Sequence, residues 1–343
     1  MRYILSLVLV LLIFSCSDSK KSNNSSKDTT SKVSNNLTTP PKADSFLMKY
    51  NFQKGDIYKY KIKTLSSSSQ ELLSDSTINT NARQTIEYKV KLSVESITPQ
   101  KIAQINVFIE SIFVDGVVNG QPITYNSNYI QSSQEKMMFA QYESIKKKTF
   151  TIDITEHGEI INIYNTNEIV NELLSIQKQS QNVTSAQKTE LANNFSTSAL
   201  RPLSEQIFRK FPTKKVSTNY TWSESYFSQF ALFQIENIAN YQVSGVKMEK
   251  NDSLIIVSAG LSINFIGEHK ATEKGMSFYF YDPVISGNGT IKFNKTKGLV
   301  VYSETSTNME MVTDIDGVDE NGKQFHAKRT DNTSNTNIVE LIK

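Results

Sequence analysis

The chain has 343 residues, 38% of them hydrophobic and 21% charged, and its 13 Gly and 7 Pro exclude collagen-like and Pro/Gly-rich disordered chains. Basic side chains number 37 against 34 acidic ones, a net charge of +3 that gives no argument for a nucleic-acid partner. A single cysteine and three scattered histidines exclude intramolecular disulfides, cysteine-based zinc sites and redox pairs, and the length allows a large core without them.

Met1 and Arg2 make a short positive start, and residues 3–14 form an almost wholly apolar run. That run has the length of a signal-peptide core and is too short to span a bilayer as a helix. It ends in Ile13-Phe14-Ser15-Cys16, which resembles a bacterial lipobox, with Phe14 where a small or aliphatic residue is more usual. The resemblance implies a signal peptide over residues 1–15, cleavage before Cys16, and a covalent diacylglycerol and N-acyl (palmitate) chain on Cys16. No other cofactor and no metal is expected. The mature chain would lose Arg2. Residues 17–41 are rich in Ser, Asn, Thr and Lys and close on Pro40-Pro41, a composition that cannot bury enough to fold. With the lipidated cysteine, residues 16–45 are expected to act as a polar tether with a mean reach of about 25–30 Å. The expected location is the bacterial cell envelope, lipid-anchored to its membrane. Ser17 behind the cysteine resembles the pattern that directs lipoproteins to the outer membrane, with periplasmic and surface faces both open.

From Phe46 the sequence turns to period-two alternation. Tyr58, Tyr60 and Ile62 alternate with Lys59, Lys61 and Lys63, and Ile86, Tyr88, Val90, Leu92 and Val94 alternate with polar residues over 85–94. Residues 103–114 read as a third strand. A sheet packed on one face and wet on the other is typically antiparallel, and strands this long curl as they twist. Residues 46–165 are therefore expected to form a first curved β-rich half. A helical connector over 166–212 follows. Asn167 is expected to cap a helix over 167–181, residues 185–194 to add a turn or two, and a helix over 198–211 to stop at Pro212. A shorter helix over 133–145 is weighed against a loop. Residues 213–343 are expected to form a second β-rich half, with strands over 218–226, 238–248, 253–265, 276–281, 289–293, 299–314 and 323–329. The fold class is thus α+β, predominantly antiparallel β.

A weak internal repeat supports two halves. Thr151-Ile152-Asp153-Ile154, Gly158 and Ile160 recur as Thr290-Ile291-Lys292-Phe293, Gly298 and Val300, and Gly55 to Tyr60 has a distant echo in Asn219-Tyr220-Thr221-Trp222. The lipobox, the polar tether, the Lys54-Gly55-Asp56-Ile57-Tyr58-Lys59-Tyr60 strand start, the Gly-turn hairpin over 150–163 and the step from Pro212 to Trp222 together resemble a family of uncharacterised bacterial lipoproteins with a β-rich domain of unknown function. Asn219 stands where that pattern more often has Gly-Asp. The family implies no known activity.

Catalytic spacing is scarce. Glu156-His157-Gly158-Glu159 pairs an imidazole with carboxylates, as a general base would need, but it falls in an expected hairpin turn. No His-Glu-x-x-His spacing, nucleophile elbow or phosphate loop occurs. Asp314-Ile315-Asp316-Gly317 departs from a calcium loop, because its Gly comes fourth and Phe325 occupies the twelfth place. Lys146-Lys147-Lys148 would suit an anionic headgroup or simply a soluble surface. The remaining signal is aromatic: Tyr220 and Trp222 on one strand face, and Phe278, Tyr279, Phe280 and Tyr281 alternating along another strand. If curved sheets enclose a cavity, these six side chains could line it for an apolar ligand; otherwise they are core. The expectation is a non-enzymatic, lipid-anchored envelope protein that binds an apolar ligand or a protein partner. The alternatives are a carrier of lipids or lipoproteins with a hydrophobic cavity, and a hydrolase acting on envelope material.

Overall fold

The computed structural model describes residues 45–230, 233–249, 252–273, 275–318 and 322–343. The leader, Cys16 and the tether lie outside them. Antiparallel strands dominate. The first half holds β1 (Ile57–Leu73), β2 (Thr77–Ile97), β3 (Ile102–Val118), β4 (Gln121–Asn126), β5 (Thr149–Thr155) and β6 (Ile160–Tyr164). The second holds β7 (Thr221–Phe230), β8 (Phe233–Glu249), β9 (Asp252–Ile266), β10 (Lys270–Glu273), β11 (Met276–Phe280), β12 (Val284–Asn294), β13 (Leu299–Val318) and β14 (Gln324–Leu341). One open sheet carries them in the order β6-β5-β3-β2-β1-β14-β13-β12-β9-β8-β7, with β4 beside β3 and the β10–β11 hairpin beside β13.

The strand order repeats. Each half lays down three consecutive antiparallel strands, makes a detour into short extra strands, and returns to pair the next main strand with the third: β1-β2-β3, β4, then β5-β6, and β7-β8-β9, β10-β11, then β12-β13. The two sequence echoes fall on matching places in that order. The β5–β6 turn carries Gly158 at φ +90° and the β12–β13 turn carries Gly298 at φ +66°. A side chain would collide at either position, with Arg209 O at 2.1 Å from the first and Asn51 N at 2.5 Å from the second. Both turns hold the extended strap that precedes β1: Tyr50 N donates to Glu156 O and Asn51 N to Gly298 O. The extra strand β14 then pairs with β1 over 14 positions and joins the last strand to the first.

The described helices are short and fall between strands. α1 (Ser133–Met138) and α2 (Ala140–Ile145) replace the expected single helix, and α1 is held by a Ser132/Glu135 capping box. α3 (Asn167–Ile176) is capped by Thr166 rather than by the expected Asn167, the Thr166 side chain makes no cap bond, and the helix stops early before Lys178 at φ +57°. α4 (Ser185–Phe195) is longer than the expected turn or two because Thr184 and Gln187 form a capping box. A π-turn over Ser196–Leu200 leads into α5 (Arg201–Ile207). α5 lies against β1, β14 and β6. There Leu203, Ile207, Phe208 and Phe211 join Tyr60, Ile62, Phe150, Ile152, Phe293 and Val339 in the main core. Tyr50 sits at its centre, 5.9 Å from the Phe293 ring and 5.8 Å from the Phe208 ring, both edge-on. A second, smaller core of Ile235, Phe280, Met309 and Met311 lies further along the sheet.

Between these cores the inner face turns polar. Thr64 and Ser66 on β1, Asn335 and Asn337 on β14, and Thr305 and Thr307 on β13 are all buried. Thr64 Oγ1 bonds Asn337 Oδ1 at 2.8 Å, whereas Ser66 Oγ and Thr305 Oγ1 have no protein partner.

Candidate functional site

The alternation that buries Tyr60, Ile62, Thr64 and Ser66 sends Ser67 and Ser69 to the opposite, outer face. Pairing extends that face into two rows across five adjacent strands. One row runs Arg83 (β2), Ser67 (β1), Ser334 (β14), Asn308 (β13), Ser286 (β12); the next runs Asn81, Ser69, Asn332, Glu310, Val284. All ten residues line one open cleft of about 650 Å³, with Val117 and Gly120 at its β3 side. That volume is in the range of ligand sites, 300–1,000 Å³.

Two properties set the cleft apart. First, at several other places on the sheet, neighbouring polar side chains bond one another across strands: Ser306 to Thr336 at 2.9 Å, Ser223 to Asn240 at 2.7 Å, Gln70 to Asp331 at 2.8 Å. In the cleft, among the described residues, no side-chain bond or ion pair joins Ser67, Ser69, Arg83, Ser286, Asn308, Glu310, Asn332 or Ser334 to anything. Second, the floor strands β2, β1, β14 and β13 are paired on both sides, and the backbone is open only along Val284 to Ser286 of β12, which pairs β13 there but reaches β9 only from Gly287 onward. Arg83 and Glu310 are three strands apart, roughly 14 Å at ordinary strand spacing, and cannot neutralise each other.

The six aromatic residues singled out from the sequence fall in three environments. Tyr220 and Trp222 are partly buried against the main core, and Trp222 stacks on Tyr241 at 5.0 Å. Phe278 and Phe280 share a face with the smaller core. Tyr279 and Tyr281 are exposed on the other face, where Tyr281 Oη donates to Asp314 Oδ2 at 2.8 Å and its proton is held above the usual tyrosine range by that carboxylate. None of the six lines the cleft.

Glu156 and His157 occupy the β5–β6 turn as expected, where Glu156 pairs with Lys49 at 3.2 Å and His157 O accepts from Phe211 N. His269 Nδ1 lies 2.8 Å from Phe280 O and His326 Nδ1 lies 2.9 Å from Asp316 Oδ1, on separate hairpins. Asp314, Asp316 and Gly317 belong to β13 rather than to a loop. Residues 319–321 lie outside the described ones, and among the described residues no three His, Cys, Asp or Glu side chains gather as a metal site would require. Of the lysine run, Lys146 pairs with Glu143 at 2.6 Å, Lys148 with Glu168 at 3.6 Å, and Lys147 Nζ donates to Glu110 O. No described helix is long and apolar enough to cross a membrane.

Residues 100–300 match the profile of a family of unknown function (DUF6263), and the chain belongs to that family. No curated protein matches the sequence. Among solved structures, one of lipovitellin, titled for its lipid–protein interactions, is similar at a TM-score of 0.38 and 12% identity, over 85% of this chain. This chain spans 26% of that one. An outer membrane channel from Pseudomonas putida F1 gives 0.21 and 8%, over 89% of this chain and 100% of the channel. Pseudomonas aeruginosa OpdL gives 0.19 and 6%, over 84% and 99%. Scores this low do not establish a shared fold.

Proposed function

We propose that this family member is a lipid-anchored, non-enzymatic binding protein of the bacterial cell envelope, fixed to the outer membrane through Cys16, with the cleft across the central strands as its binding site. The observation that carries the binding role is the set of eight unengaged polar side chains in one cleft, on a sheet where polar neighbours at other places, such as Ser306 with Thr336 and Ser223 with Asn240, bond each other. This chemistry moves the ligand from the apolar one expected from the aromatic residues to a polar one. The lining includes a single carboxylate, Glu310. Glycoside hydrolysis by the usual route needs two carboxyl groups about 5–10 Å apart, so the cleft favours holding over cleaving. Support for the anchor is the lipobox-like Ile13 to Cys16 followed by a polar tether. Several acyl chains on one residue make a stable attachment where a single chain is marginal.

Fractionation tests the anchor. The native chain should stay with the envelope through a high-salt wash and the Cys16→Ser chain should leave it; a Cys16→Ser chain that still sediments contradicts the anchor. Turnover of envelope material that Glu310→Gln abolishes would contradict the non-enzymatic reading.

A further inference from the structure

We infer that the cleft takes a linear oligosaccharide, laid across β2, β1, β14, β13 and β12 with an acidic group, where it carries one, over Arg83. This rests on reading the cleft as a binding site and names the ligand class. Four chemistries can be compared with the lining. An extended peptide binds a sheet by adding along an open edge, and the floor offers one only over Val284 to Ser286 of β12, three residues at one end of the cleft. An acyl chain needs a continuous apolar wall, and the apolar lining residues, Ala82 and Val117 on β2 and β3 and Met309 and Val284 on β13 and β12, are separated by the Ser, Thr and Asn residues of β1 and β14. A nucleic-acid strand needs several cations along its phosphates; the lining has Arg83 alone, with Glu310 opposing it.

A chain of sugar hydroxyls remains, and it fits. Ser hydroxyls and Asn amides each both donate and accept, as a sugar hydroxyl does, so each of Ser67, Ser69, Asn308, Asn332 and Ser334 can exchange bonds with a ring in either direction. Within each row they recur once per strand, about 4.8 Å apart across the sheet, and therefore offer a ladder of equivalent contacts to a polymer that repeats. Exposed Val284 supplies an apolar spot for the C–H face of a ring at the β12 end. Arg83 at the other end is a fixed fork for a carboxylate, while Glu310 accepts from neutral hydroxyls and repels a second acid. The predicted preference is thus for a chain with one acidic group over a uniformly acidic one.

Calorimetric titration of the full-length Cys16→Ser chain with xylotetraose, with aldotetraouronic acid (xylotriose bearing one glucuronate) and with tetragalacturonate tests this. The singly acidic chain should bind tightest. Arg83→Gln should remove about tenfold of its affinity and leave xylotetraose unchanged. Asn308→Leu with Ser334→Leu should abolish binding of both while the melting temperature holds. Failure of all three sugars, or binding that survives the double leucine variant, overturns the sugar assignment. If a soluble Gly/Ser peptide or a phosphatidylglycerol vesicle binds instead and the double variant abolishes it, the sugar class is wrong and the binding-protein reading stands. If sugars, peptide and vesicle all fail, both fall.

Discussion

Along the same three strands, β1, β14 and β13, two ends are built from opposite chemistry. Near Tyr60, Val339 and Val300 the inner face is apolar, helix α5 lies over it, and Tyr60 Oη reaches Val300 O at 2.8 Å. A few residues further on, the same strands read Ser66-Ser67-Ser68-Ser69, Thr333-Ser334-Asn335-Thr336 and Ser306-Thr307-Asn308, with the backbone ladder unbroken. The ladder needs only amides and carbonyls, so strand continuity is separable from side-chain hydrophobicity. The closed end supplies the burial that stabilises the sheet, and that leaves the open end free to carry polar groups on both faces.

The difference can be broken most forcefully at the closed end. Phe293→Ala, which empties a fully buried site facing Tyr50 and Phe211, should cost about 3–5 kcal/mol in urea unfolding. Alkali should attack the same end. Burial, the main cause, holds the Tyr50 and Tyr60 phenols protonated well above the ordinary tyrosine range. Their contribution to stability is therefore complete below pH about 10 and lost as pH rises beyond it. Ultraviolet titration should show these two ionising only as the chain unfolds.

Smaller effects sharpen the contrast. Gly158→Ala should cost about 2–3 kcal/mol, because φ +90° is strained for alanine and the added carbon meets Arg209 O. Gly55→Ala, with the same φ and open space around it, should cost less. In the polar band, Thr64→Val should cost about 1–3 kcal/mol by orphaning Asn337, whereas Thr305→Val, which removes a hydroxyl without a protein partner, should be neutral or stabilising. Asn332→Ala on the outer face should stay within about 0.5 kcal/mol. All five can be read from denaturation midpoints. Equal losses at Thr64 and Thr305 would show that the buried band acts as one network.

The closed end was legible in the sequence because burial leaves a pattern: Tyr58 to Lys63 and residues 85–94 show the alternation, and a helix forms within 198–211, although α5 ends at Ile207, four residues before the expected end at Phe211. The open end was not. The expected last strand covered residues 323–329, but β14 runs to Leu341 through a Thr-Asp-Asn-Thr-Ser-Asn-Thr-Asn stretch whose composition reads as loop. Residues with no apolar face become strand here because both neighbours, β1 and β13, pair with them. For the same reason the cleft was invisible: Ser67 and Ser334 are 267 positions apart in sequence and neighbours only through the closure of β1 on β14. The one local hint was a polar residue at every second position, Ser67 and Ser69, Asn308 and Glu310, Asn332 and Ser334. The aromatic residues drew attention instead, because large apolar side chains signal burial in a core as strongly as in a ligand wall.

The central claim is that the outer polar rows serve a ligand and not the fold. Replacing Ser67, Asn308 and Ser334 together by valine, and measuring the melting temperature beside the affinity for aldotetraouronic acid, tests it most directly. The account predicts a melting temperature that is unchanged or higher, since valine favours strands, with binding lost. A fall of about 4 °C or more with binding intact would contradict it, because roughly 1–2 kcal/mol of stability would then reside in side chains that make no hydrogen bond or ion pair within the described residues.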